Sequence, residues 1–184
     1  MTDLLIRIKK KTDGAAALSC VRANGTTTWQ RQEGQLGAVF PPHDLTHLAV
    51  ESVLAFDEAF YGLIAGGWDI SSFADPAFRG RLPLQAQLSE LVVGFFDLER
   101  ITGDLDTAAG FNARISEFLA ERKLAATSLV LTDDQLERIR AARRDLLERW
   151  KTLPAGDTLE LSFERTGERS KQPAAARHKF DASA

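Results

Sequence analysis

The sequence predicts an α+β fold, a small antiparallel sheet made from both chain ends with about four inserted helices. Three observations carry this. Leu4, Ile6 and Ile8 alternate with Arg7 and Lys9 near one end, and Leu159, Leu161 and Phe163 alternate with Glu160, Ser162 and Glu164 near the other, the period of half-buried strands. Between them, apolar residues recur at helical spacing in four segments. The 184 residues are 44% hydrophobic and 27% charged, which suits one domain with its own core and excludes wholesale disorder.

From the first strand, the β-formers of Ala17 to Arg22 and Thr26 to Arg31 flank Asn24-Gly25, a tight-hairpin signal. Gly34 and Gly37 open a loop, which Pro41-Pro42 closes before a helix from about Asp44 to Ala65, stopped by Gly66-Gly67. A second helix fits Pro83 to about Arg100, with Pro83 near its first position. A third spans about Thr107 to Leu124, with Phe111, Ile115, Phe118 and Leu119 on one face. The fourth begins at Thr132, whose spacing to Gln135 matches a capping box, and carries Leu136, Ile139, Leu146 and Trp150 as its apolar stripe. Pro154 to Asp157 turns the chain into the last strand, which is expected to join the N-terminal hairpins. Residues 1–166 read as a single α+β domain, and 167–184, with little to bury, as a flexible, weakly basic tail.

Composition also narrows function. No stretch reaches the roughly 20 apolar residues of a membrane span, and the charges of Met1 to Lys11 follow the short apolar run, so neither a membrane nor a secretory signal is expected. A single cysteine, Cys20, allows no intrachain disulfide and fits a reducing, cytoplasmic setting; its strand position makes it a small core residue. A net charge of −3 gives no expectation of nucleic acid, and Lys9-Lys10-Lys11 reads as a solvated run. There is no G-x-S-x-G elbow and no phosphate-binding glycine loop; Gly62, Gly66 and Gly67 follow a helix rather than a strand. Trp68, Phe73 and Phe78 are core by default and otherwise line a pocket or a protein interface.

The chemical signal is Phe40-Pro41-Pro42-His43-Asp44-Leu45-Thr46-His47-Leu48-Ala49-Val50-Glu51. On one helix His43, His47, Glu51 and Glu58 point in directions of roughly 0°, 40°, 80° and 60°, one shared face. Histidines at i and i+4 can ligate one metal ion. His43 and Glu51 are separated by roughly 12 Å of helical rise, so one ion cannot take all four. The economical set is His43 and His47 on a divalent metal (zinc, iron or manganese), Asp44 a further candidate ligand, and Glu51 or Glu58 as acid/base or as groups orienting the histidines. The main apolar face of this helix lies opposite the histidines, yet Val50, Leu54 and Tyr61 share their side, so the helix reads as central and covered on both sides. Glu90 and Asp97 share a face of the second helix, with Gly94 between them offering close backbone approach, and could supply a carboxylate or pair with an arginine. The alternative makes Asp44 an N-cap and the histidines capping and packing groups.

His43 to His47, H-D-L-T-H, resembles the helical H-D-x-x-H zinc motif of a ubiquinone-biosynthesis family, which implies a helical metalloprotein acting on a quinone-related lipid. Glu58 lies eleven positions after His47, where that motif places its glutamate twelve, and the β-rich ends depart from that all-helical family, so its substrate is not carried over. Phe40 to Glu51 also resembles an F-P-x-H-D-L-x-H segment of small uncharacterised bacterial proteins, which implies no activity. Metal phosphohydrolases with an H-D pair need an upstream histidine, and none precedes His43. Two functions follow: a metal-binding protein or metal-dependent enzyme on a small molecule, or a non-enzymatic interaction or assembly module engaging another protein, with structural histidines. A homo-oligomer is compatible with either.

Overall fold

The computed structural model describes residues 2–103, 106–123 and 129–167. The expectations for the tail beyond Gly167 and for a helix end at Leu124 fall outside those residues. Strands β1 (Leu4–Lys10), β2 (Ala16–Arg22) and β3 (Thr27–Gln32) are followed by helices α1 (Gln35–Leu54), α2 (Phe60–Ala65), α3 (Pro76–Arg79), α4 (Leu84–Thr102), α5 (Ala108–Glu121) and α6 (Asp133–Thr152), then by β4 (Thr158–Phe163). The sheet is antiparallel in the order β3-β2-β1-β4, so the last strand joins the first. Leu4, Ile6 and Ile8 meet Phe163, Leu161 and Leu159 across β1 and β4, and these side chains form the inner face under the helices. The outer face is open, with Arg7 and Glu160 paired across it and Trp29 68% exposed.

Local chemistry explains most boundaries. Asn24 Oδ1 accepts from the Thr26 amide and Gly25 adopts a positive φ of 83°, which closes the β2-β3 hairpin. Thr132 and Gln135 make the capping box at the start of α6. Pro83 sits at the N-cap of α4 and Thr107 at that of α5, its side chain accepting from Gly110. Lys10 is no solvated charge: its Nζ donates to the Trp150 and Leu153 carbonyls at the end of α6, where a cation is favoured.

The first helix differs from expectation at both ends. It begins at Gln35, and Pro41-Pro42 lie inside it instead of closing a loop. Their missing amides remove two ladder bonds. Packing compensates: Gly37 is so close to the Gly14 and Gln32 carbonyls that a Cβ there would stand 2.6 Å and 3.0 Å from them. At the other end, Ala55 adopts a left-handed conformation and the chain turns before α2, so there is no continuous helix to Ala65. The break lets Phe56 turn into the core and frees Asp57 to accept from the amides of Thr166 and Gly167 beyond β4. The short α2 is tied to the sheet by buried Arg22, whose guanidinium donates to Ile64 O at 2.7 Å and Trp68 O at 2.5 Å. Among the described residues, no helix is long and apolar enough to cross a membrane.

Candidate metal centre

Every residue from Asp44 to Glu51 is buried, so α1 is the central helix of the fold, covered on both sides. Its covering elements build the site. His43 and His47 are one turn apart, their rings 4.9 Å centre to centre. Across from them, Glu90 of α4 places Oε2 3.8 Å from His43 Nε2 and Oε1 3.3 Å from His47 Nε2. His43, His47 and Glu90 each offer one ligand atom, all within 4.8 Å of one another, a group that could hold a metal ion.

The opposite ring nitrogens face carboxylates, and the buried Ser89 hydroxyl also lies 3.3 Å from His47 Nδ1. His43 Nδ1 is 2.8 Å from Asp97 Oδ2, and His47 Nδ1 is 3.1 Å from Glu51 Oε1. A carboxylate accepts, so an Nδ1–H donating to it leaves Nε2 turned toward Glu90, as a second N–H donor while the ring is charged and as a free lone pair only once a metal ion displaces that proton. Glu51 is itself seated: its Oε2 accepts from the amides of Tyr61 at 2.9 Å and Gly62 at 3.4 Å, in the first turn of α2. Asp97 Oδ1 also takes the Arg100 Nε at 3.4 Å, so the aspartate meets both the histidine and an arginine.

The charges are strongly coupled. Burial pulls His47 toward its neutral form, but Glu51 and Glu90 at its two nitrogens overcome this and raise its pKa to about 10. Burial pushes the Glu51 carboxyl up, while His47 and the two α2 amides oppose it. Burial likewise acts to raise Glu90 and Asp97, yet the histidines beside them hold both below the usual carboxylate range.

Two sequence candidates stand outside this group. Asp44 is not the N-cap and is not one of the three grouped ligand atoms: it lies well inside α1, rotated about 100° from His43, and its Oδ2 accepts from Gln32 Nε2 at 2.8 Å. Burial raises its carboxyl pKa to about 6. Glu58 is separated from the histidine face by the break at Ala55; it is exposed in the turn before α2, its amide donating to Gln85. Glu90 and Asp97, seen in the sequence as possible partners, both arrive at the histidines, and Asp97 pairs with an arginine as well. Aromatic rings border the site, with Phe40 6.4 Å from His43, Phe60 5.4 Å from His47, and Phe73 4.9 Å from Phe60. Phe73 packs partly on the core and continues to Trp68 at 5.6 Å.

An ion held by two nitrogens and one carboxylate from two helices would keep further positions for water or a ligand. Glu90, 54% exposed, marks the open side, whereas His47 is buried beneath it. No protein-family model, curated protein or solved structure matches the chain.

Proposed function

We propose that this chain is a metal-dependent enzyme acting on a small molecule, with His43, His47 and Glu90 as ligands of one divalent ion, zinc, iron or manganese. One observation carries the reading: both histidines turn Nε2 toward the same carboxylate while a second carboxylate occupies each Nδ1. Fixing the outer nitrogen sets tautomer and ring direction, the usual support of a ligating histidine. A divalent ion held there supplies Lewis acidity and activates water near neutral pH. Glu51, with both oxygens engaged inside the protein, is a positioning residue for His47; Asp97 does the same for His43.

The test is metal content by plasma mass spectrometry on untagged protein purified without chelator, beside the His43→Ala/His47→Ala double variant and Glu90→Gln. Near-stoichiometric metal in the wild type, lost in variants that keep their circular dichroism, is the expected result. A wild type that takes up none of the three added metals would overturn the reading. It would favour instead a non-enzymatic assembly module, whose support is Leu98 and Ile101, 50% and 73% exposed on the outside of α4.

A further inference from the structure

Gly94 has no packing role. It lies inside α4, where glycine is among the poorest helix formers, yet a Cβ built on it would meet nothing within 4 Å. No close backbone contact excludes a side chain there. It stands between Glu90 and Asp97, at i+4 and i−3, on the face those two residues turn toward His43. The missing side chain therefore leaves the backbone of α4 uncovered beside the open side of the histidine-glutamate group. A glycine inside a regular element is a recognised place for a ligand to approach the backbone closely.

The surroundings of Gly94 restrict what approaches it. Glu90, Asp97 and Glu51 bring carboxylates to the histidines. The two nearby guanidinium groups are engaged, Arg100 with Asp97, and Arg143 with the Phe96 carbonyl and the Thr46 hydroxyl. Among the described residues, a phosphate or other polyanion meets carboxylates and already engaged guanidinium groups at this face. The rings of Phe40, Phe60 and Phe73, all half-buried, instead offer an apolar band that begins at the histidines.

We propose that the site takes a small molecule, uncharged in free solution, that gives up a proton to chelate the metal through one oxygen-bearing group, enters across Gly94 and rests an apolar body on Phe40 and Phe60. The proposal rests on the metal reading above. The experiment loads the whole protein with cobalt(II), measures the bound ion, and follows its visible absorption while acetohydroxamic acid, benzohydroxamic acid or inorganic phosphate is added. Benzohydroxamic acid is expected to bind roughly tenfold more tightly than acetohydroxamic acid, through the apolar area of its ring, and phosphate to be the weakest. Phe60→Ala should bring the two hydroxamic acids to within about threefold of each other. Gly94→Leu, an exposed change that favours helix, should cut hydroxamate binding at least roughly tenfold with cobalt content unchanged. Equal affinities for the two hydroxamic acids, strong phosphate binding, or an indifferent Gly94→Leu each overturn the proposal while leaving the metal site standing. Failure to take up cobalt overturns the metal reading, and this inference with it.

Discussion

Glu51 and Asp97 each face a histidine Nδ1, from opposite environments. Glu51 is fully buried, with two backbone amides on one oxygen and His47 on the other, whereas Asp97 is 20% exposed and shared with Arg100. Replacing the Glu51 carboxylate with an amide keeps its volume and the acceptor for Tyr61 and Gly62, but turns an NH2 group toward His47 Nδ1. His47 must then accept at Nδ1 and carry its proton on Nε2, the atom that faces Glu90. Glu51→Gln is therefore expected to fold and to lose metal affinity by roughly 10- to 100-fold. The imidazole nitrogen shifts of labelled protein should report the changed tautomer. Unchanged affinity and shifts would show that Glu51 does not orient the ring.

At the scale of elements, what could be read depended on whether the signal was local. The capping box at Thr132 and the turn at Asn24-Gly25 are written in neighbouring residues and occur where the sequence places them. The same holds for the alternation of Leu159, Leu161 and Phe163, all buried in β4. Helix α1 obeyed distant contacts instead. Its prolines are accommodated by packing of Gly37 against the strand ends, and its break at Ala55 follows from the burial of Phe56, with no glycine or proline at the spot. That unmarked break is why Glu58 falls away from the histidine face. The histidine pair was likewise legible from i,i+4 spacing, whereas the choice of Glu90 over Asp44 depends on how α4 crosses α1, which no spacing records. Ala55 remains in a left-handed conformation, with φ 55° and ψ 45°, that costs a residue with a Cβ about 1 kcal/mol relative to glycine. Ala55→Gly should therefore raise stability by up to about 1 kcal/mol in urea unfolding, less the entropy that glycine adds to the unfolded chain. A loss of stability would mean that the Ala55 methyl group contributes more than its conformation costs.

For the whole molecule, the sheet and α1 enclose a core in which Cys20 and Tyr61 are both completely buried, and this gives the fold a limit at high pH. Burial, helped by the nearby Asp44 and opposed by Arg22, raises the Cys20 thiol from 9.0 to about 12. Between those values the unfolded chain has released a proton that the folded protein keeps. The unfolded state then binds fewer protons, so stability falls as pH rises, while below about 9 the thiol is protonated in both states and makes no such demand. The fall from this one group is about 1.4 kcal/mol per pH unit. Tyr61, raised well above 10.0 chiefly by burial, adds its own fall beginning higher. Cys20→Ala loses some packing in the core, so it should be less stable than the wild type at pH 8. It also lacks the proton, so urea unfolding at pH 8, 9.5 and 10.5 should show its deficit shrinking and then reversing, while the part of the slope due to Tyr61 persists in both proteins. Parallel pH profiles for the two proteins would mean that the thiol ionises as readily in the folded core as in the unfolded chain, and that the core beneath the sheet admits water.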